Sequence, residues 1–517
     1  MKMFKKNILA LAMTASAAMI AHAADITIAY DSDPVSMDPQ EQLSAGTLQM
    51  GYLLFDPLVF MDANLEIQPR LAESWEKIDD KTMRFHLRKG VKFHSGNEMT
   101  AEDVVFSYNR LLSSADFKGL LANYDRIEKV DDYTVDIITK EPYPLVLANM
   151  TYLFVMDKDF YTGKDDNGKD KSAIEKSTGT FASMNVSGTG PFKLESRQQG
   201  VESVYVKNHD YWADSGNIER LKLVPIKENP TRISALLSGD VDWIYPVAPT
   251  DLDRVKDAKG YELYSIPSDR IIFLELNQEV VEPFKDVRVR EAVVHAINNK
   301  GIVDKIMRGF ATPAGQLSPE GYSGHNESLA PRYDLEKAKA LMKEAGYEKG
   351  FSVTMISPNN RYVNDEKIAQ AVAAMLAKIN IDVQLTTMPK AQYWDEFEKC
   401  ENGIQLIGWS SDTGDSANYS EYLTMTRNNE TGVGQYNCNG NSNAQLDTLV
   451  NQANATLDPE ERSALLKQVA KIEYDEAIVV PLHWQNLDWG YKSKISNFPE
   501  NVNLKNFPLF GDVIVSE

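Results

Sequence analysis

The sequence predicts an α/β protein with more than one domain. Three observations carry this. Strand-like and helix-like segments alternate between Phe351 and Trp409, the first half is rich in runs of alternating apolar and polar residues, and 517 residues exceed what a single core usually organises. A hydrophobic fraction of 43% is ordinary for globular chains, so each domain should have its own core.

Taken in chain order, the N-terminus "MKMFKKNILALAMTASAAMIAHAAD" has three lysines, a short apolar segment and the small-residue exit "AHA". This is the pattern of a cleavable export signal over residues 1–23, too short for a membrane anchor. The expected protein is therefore exported and periplasmic. The formal charge is −21 and becomes more negative without Lys2, Lys5 and Lys6, which argues against nucleic acid as a partner.

"TMRFHLRKGVKF", "YTVDIITK", "ESVYVKN" and "LKLVPI" read as strands of α+β lobes, and the polar stretch from Tyr161 to Thr180 as a solvated excursion. From Asp286 helices take over. "DVRVREAVVHAI" puts Val289, Val293, Ala296 and Ile297 on one face. "YDLEKAKALMKEAGY" has Asp334 as N-cap, an apolar stripe of Ala338, Leu341, Met342 and Ala345, and Gly346 as its stop.

"FSVTMIS", "NDEKIAQAVAAMLAKI", "IDVQLTTM", "AQYWDEFEK" and "IQLIGW" then form a β-α-β-α-β series, with Ile368, Val372, Met375, Leu376 and Ile379 buried from the first helix. In such sheets ligands bind outside the carboxyl ends of the strands. The segments leaving those ends are "SPNNRY", "MPKAQ" and "SSDTGDS", so Arg361, Tyr362, Trp409 and Asp412 are expected to face one space. "DPEERSALLKQVAKI" is a helix capped by Asp458, and both "AIVVPLHW" and "VNLKNFPLFGDVIVSE" read as strands.

The sequence contains neither G-x-S-x-G nor H-E-x-x-H. Its histidines lack helix-face metal spacing, and "GTGPF" lacks the lysine of a phosphate loop. No catalytic residue, metal or cofactor is expected. A hydrolase acting through Asp412 and Asp415 is the rival from another class, and it lacks a partner base. Cys400 and Cys438 suit a disulfide in an oxidising compartment rather than a redox pair, since no C-x-x-C is present.

The stretch "LAESWEKIDDKTMRFHLRKGVKFHSGNEMTAEDVVFSYNR", Leu71 to Arg110, resembles the signature region of the peptide/nickel class, family 5, of extracytoplasmic solute-binding proteins serving ABC importers. "SMDPQ", "SGTGPF", Tyr211 and Trp212, "RISALLSGDVDWI", "PFKDVRVREAVVHAI", "YDLEKAKALMKEAGY", "GWSSDTGDS" and "PLHWQ" stand in that family's order, so nearly the whole mature chain is covered. The resemblance implies a two-lobed, hinged periplasmic binding protein fold of type II. Lobe I spans 24–270, with an extra subdomain over about 50–185, lobe II spans 271–482, and 483–517 returns to lobe I. Crossings are expected near Ser268–Asn277 and Pro481–Tyr491.

The resemblance further implies a monomer that captures a short peptide or peptide-like solute and delivers it to inner-membrane permease subunits. The aspartate of a "GWxxD" segment, here Asp412, takes the ligand ammonium, with Gly408, Trp409, Ser410 and Ser411 beside it. Asp415 is left as a solvated loop residue. Arg361 is displaced in register from the family's carboxylate-binding arginine, and it either meets a ligand carboxylate or pairs with Asp365. An opine or oligosaccharide is the alternative ligand, with Trp394, Trp409, Trp484 and Trp489 as stacking platforms. A sensor or chaperone module is a further alternative.

Overall fold

The computed structural model describes residues 23–175 and 179–516. The segment read as an export signal lies outside the described residues except for Ala23. Among the described residues no helix is long and apolar enough to cross a membrane.

Strand β1 (Ala24–Tyr30) is followed by a hairpin of β2 (Val59–Met61) and β3 (Ile67–Pro69). Next comes a separate antiparallel sheet of β4 (Ala72–Asp79), β5 (Thr82–Leu87), β6 (Tyr124–Asp131) and β7 (Thr134–Thr139), ordered β4-β5-β7-β6. The helix Ala101–Leu111 packs on that sheet. Thr100 and Asp103 cap it reciprocally, which satisfies its first free N–H groups. Its last turn carries Arg110, whose fork meets both oxygens of Asp38 at 2.9 and 2.6 Å with both side chains buried. The "SMDPQ" and "SYNR" motifs therefore hold each other.

The chain continues through β8 (Phe192–Gln198), β9 (Glu202–Lys207), β10 (Ile218–Pro225), β11 (Trp243–Tyr245) and the long β12 (Tyr261–Leu276). After β13 (Ala311–Pro313) come β14 (Phe351–Pro358), β15 (Ile381–Met388), β16 (Ile404–Trp409) and the long β17 (Val479–Lys492). All ten of these strands and β1 join one mixed sheet. Its path is β15-β14-β16-β12-β17-β11-β1-β10-β9-β8, with β13 on β17.

Two lobes share this sheet. One core gathers residues from Ile26 to Trp243 together with Leu487 to Val515. In the other lobe helices cover both faces of the sheet. Ile272, Leu274, Val353, Met355 and Leu406 point to one core, and Ile271, Phe273, Ile356 and Ile407 to the other. This two-sided burial explains why "IQLI" is apolar without interruption. Strands β14, β15 and β16 are mutually parallel, so their carboxyl ends share an edge.

Strands β12 and β17 pass through both lobes. Tyr261–Pro267 pairs with Asn486–Lys492, the ladder breaks between Pro267 and Ile271, and pairing resumes at Ile271 with Trp484. Ser268, Asp269 and Arg270 occupy the break. The ladder groups released there find local partners: Ser268 Oγ donates to the Gln485 carbonyl at 2.6 Å and accepts from the Arg270 amide.

One sequence expectation fails. The closing segment after Lys492 is not strand but turns, two short 3-10 helices and isolated bridges. Its apolar residues Phe498, Phe507 and Phe510 pack into the first core, and Phe498 and Phe510 lie on Trp243. Apolar content thus came from packing rather than pairing. Asp334 and Asp458 accept the helix-start amides their positions suggested, and Asp286 does the same for the helix that follows it.

Cys400 and Cys438 form a disulfide, with Cα atoms 5.0 Å apart and a separation of 38 positions in sequence. Loop closure of that size should contribute about 3–4 kcal/mol through the unfolded chain. The double variant Cys400→Ala/Cys438→Ala is expected to lose that much in urea denaturation; an unchanged midpoint would contradict it.

Candidate functional site

A cavity of about 650 Å³ lies where the carboxyl edge of β14–β16 meets the broken stretch of β12 and the C-terminal segment. Its size falls in the range of small-ligand sites. Arg361, Gly408, Trp409, Ser410, Ser411 and Asp412 all line it, although β14 and β16 leave the sheet far apart in sequence. Gly408 is required by close packing: a Cβ there would stand 2.6 Å from Ile272 and 2.8 Å from the Tyr362 ring.

The loop after β16 is held from within. Ser411 Oγ donates to the Asp415 carbonyl at 2.9 Å, and Asp415 accepts the Ala417 amide. The reading of Asp415 as a solvated residue is overturned. Asp415 is 3% exposed, and its carboxylate takes a two-pronged contact from buried Arg462 at 2.8 and 3.1 Å. That ion pair fixes the loop and leaves Asp412 as the carboxylate that faces the cavity. Trp409 donates its Nε1 to Asn418 at 3.0 Å and lies against Tyr422 and Tyr436, both with centroids at 5.1 Å.

Arg361 does not pair with Asp365. The Asp365 carboxylate instead accepts the amides of Arg361 and Tyr362, at 2.9 and 3.0 Å, where the following helix begins. The guanidinium lies over the Trp394 ring at 4.9 Å and donates Nε to the Tyr362 hydroxyl. Tyr362 is itself buried behind the wall and donates its hydroxyl to the Gly408 carbonyl at 3.1 Å. It positions Arg361 and does not line the space.

Of the four tryptophans considered as platforms, Trp394 and Trp409 line the cavity. Trp484 and Trp489 do not. Trp489 is fully buried, stacks on Tyr264 at 5.6 Å, and donates to the Asn506 side chain. A flat face already covered by another ring cannot take a ligand, so its part is to support Asn506, which does line the cavity.

Sequence reasoning missed Asp269, Arg270, Gln485 and Lys505, together with Tyr152 and Tyr245, all lining residues. Asp269 is buried and accepts from Tyr322 at 3.0 Å. Burial raises its pKa, opposed by Lys505, Arg270 and the Tyr322 and Ser410 hydroxyls. Burial pushes Asp412 up to about 6, with Lys505 and Arg270 pulling down and Asp269 adding to the rise. Lys505 is lowered by burial against the pull of both aspartates.

Lys505 Nζ donates to the main-chain oxygens of Ser411, at 3.0 Å, and Asp412, and contacts the Tyr152 hydroxyl at 3.2 Å. Tyr152 donates to the same Asp412 carbonyl at 2.9 Å. Two residues of the first lobe thus grip the loop of the second. A charge motif, "SDR" interrupting a strand-like run, was the available signal for Asp269 and Arg270.

The family model for "Bacterial extracellular solute-binding proteins, family 5 Middle" matches residues 66–431. The dipeptide-binding protein of Escherichia coli (strain K12) is 29% identical over 506 residues, covering 92% of this chain and 91% of that protein. Heme-binding protein A of Haemophilus influenzae is 31% identical over 451 residues, covering 82% and 80%. Among solved structures, the periplasmic binding protein DppA from Helicobacter pylori in complex with peptide STSA aligns with a TM-score of 0.78. It has 26% identity and covers 96% of this chain and 99% of that one.

The buried acids give a pH signature. Asp412 at about 6, and Glu421, Glu473 and Asp488 at about 7, hold protons more tightly in the fold than in the unfolded chain. Stability from these groups is present at low pH and lost as pH rises through those values. His94 and His483, held down to about 4 by burial, act oppositely: their contribution is present above 6.5 and lost as pH falls toward 4. Because the four acids outnumber the two histidines, the ligand-free melting temperature should rise as pH falls from 8 to about 6.5 and go on rising, less steeply, toward about 5. Calorimetry showing a steady fall between pH 8 and 6.5 would refute the assignment.

Proposed function

The chain belongs to the bacterial extracellular solute-binding proteins of family 5, and from that premise we propose that it captures a short peptide, or a peptide-like solute with amino and carboxyl ends, for an ABC importer. Capture and release, without bond-making, is the proposed role. It operates outside the cytoplasm, in the periplasm, and hands the ligand to inner-membrane permease subunits. In this reading the lobes meet near 270 and 483, where β12 and β17 cross, and the break at Ser268–Arg270 opposite Gln485 supports a hinge there.

The observation that carries this reading is the opposition of charges in one cavity. Asp412, supported by Asp269, offers a carboxylate beside the Trp409 loop, and Arg361 offers a guanidinium across from it on the β14 loop. A ligand ammonium and carboxylate complete both with charge-assisted hydrogen bonds. A peptide backbone also suits Gln485, Asn506, Tyr245 and Ser410, which supply neutral donors and acceptors between the charged ends.

The relatives are named for different ligands, a dipeptide and haem. The charged lining favours the peptide side, because a cavity holding Asp269, Asp412, Arg270, Arg361 and Lys505 would impose a desolvation cost on a largely apolar ring.

Native mass spectrometry of the protein purified without refolding is expected to show a co-purifying peptide-sized mass; a sugar or a metal chelate in its place would overturn the reading. Asp412→Asn should weaken a free-amine peptide by about 1.5–3 kcal/mol and an N-acetylated one far less. Equal weakening of both would remove the ammonium anchor. Binding through Asp412 should also fade below about pH 6, as the carboxylate takes its proton.

A further inference from the structure

The disulfide lies directly behind the cavity wall. Cys400 follows the helix Lys390–Phe397, whose Trp394 lines the cavity together with Glu398. Cys438 follows Gln435 and Tyr436, which line it too. Two wall segments far apart in sequence are thus joined by one covalent bond.

Each half of the bridge is tied by a short backbone turn to a ring beside it. The Cys400 amide donates to the Phe397 carbonyl at 3.0 Å, and the Cys438 amide to the Tyr436 carbonyl at 3.0 Å. Across the bridge Tyr436 meets Phe397 and Trp394, with ring centroids at 6.2 and 6.3 Å. Trp394 and Phe397 meet edge to face at 5.3 Å, an arrangement in which each ring fixes the orientation of the other.

This aromatic cluster is the bed of Arg361. The guanidinium lies over the Trp394 ring at 4.9 Å, while the Tyr362 hydroxyl holds its Nε at 3.1 Å. The helix that carries Trp394 is fastened at its start, where the Lys390 amide donates to the Asn360 side chain at 2.8 Å, and by Tyr393, which donates to the Leu406 carbonyl at 2.6 Å. Its far end is held by the disulfide and by the Asn277 side chain, which donates to the Cys400 carbonyl at 2.8 Å. On the other side of the bridge the Tyr436 amide donates to the Tyr422 carbonyl at 2.9 Å and the Gly434 amide to the Glu421 carbonyl at 2.6 Å. Tyr422 and Glu421 belong to the helix Ala417–Leu423, which follows the Asp412 loop. The bridge therefore connects the platform under Arg361 to the elements that carry Asp412.

Resting on the reading of Arg361 as the carboxylate anchor, we propose that the Cys400–Cys438 disulfide is a positioning element of the ligand site. It holds Trp394 against Tyr436, and through Trp394 it sets the plane in which the Arg361 fork meets a ligand carboxylate. A two-pronged contact needs guanidinium and carboxylate to be coplanar, so a tilt of the supporting ring is felt at that end of the ligand. Asp412 is fixed independently, by the Asp415–Arg462 pair within its loop and by the Lys505 contact to the main chain. The bridge thus acts on one end of the ligand and not on the other.

Isothermal titration of wild type and of Cys400→Ser/Cys438→Ser with Ala-Leu and its C-terminal amide tests this, at a temperature where both proteins are folded by circular dichroism. The wild type is expected to bind the free acid about tenfold more tightly than the amide. The serine pair should lose about fivefold in affinity for the acid and leave the amide unchanged. Wild type reduced with a phosphine while folded should behave as the serine pair does. In a Trp394→Ala background, removing the disulfide should cost the acid nothing further, because the platform it holds is already gone. Equal weakening of acid and amide, or no weakening of either, would overturn the positioning role. A further loss in the Trp394→Ala background would overturn the route through Trp394. Equal wild-type affinity for acid and amide would overturn Arg361 as the carboxylate anchor and this inference with it, and binding of neither would overturn the peptide reading itself.

Discussion

Everything in this fold depends on one pair of antiparallel strands, β12 and β17, running through both lobes as a ladder whose wider interruption lies between Pro267 and Ile271. A continuous ladder would make the two lobes one rigid slab. The three residues at the break instead leave the pleat, and with them goes the side-chain alternation that would send neighbours to opposite faces. Asp269 and Arg270 consequently both reach the cavity although they are adjacent in sequence. The break in the ladder and the lining of the cavity are therefore made of the same residues.

The electrostatics follow a division of labour within one loop. Asp415, buried and forked to Arg462, is fully compensated by protein and acts as structure. Asp412, three residues earlier, is only partly buried and keeps its carboxylate toward the cavity, with Asp269 adding to its basicity. Two chemically identical groups thus have opposite fates because one found an arginine and the other did not. The buried pair is expensive to break but adds little by itself; its value is the geometry it imposes on the loop.

Much of this was legible in the sequence. The β-α-β-α-β series was visible because helix and strand periods differ and because "IQLI" is apolar enough for a strand covered on both faces. The shared edge followed from parallel topology, and it brought Arg361, Trp409 and Asp412 to one space. Asp415 was misread because its partner, Arg462, lies on a helix whose amphipathic pattern gives no sign that an arginine is buried. Asp269 and Arg270 were missed for a different reason. Which way a strand residue points is ordinarily set by its register, and a break in the ladder cannot be located from hydrophobicity. The closing segment was misread as strand because its apolar residues serve an aromatic cluster around Trp243 and Phe498, and such packing leaves a pattern similar to that of a half-buried strand.

Lys505 and Tyr152 close the two lobes by holding main-chain oxygens of Ser411 and Asp412, not their side chains. A carbonyl is present whatever residue occupies the position. The clasp is therefore indifferent to the identity of the residues it grips, while Trp409, Ser410 and Asp412 of the same loop line the cavity. A lineage can replace residue 412, or its neighbours, and change the cavity lining without having to rebuild the contact between the lobes. One scaffold serving relatives named for a dipeptide and for haem is what such a separation permits.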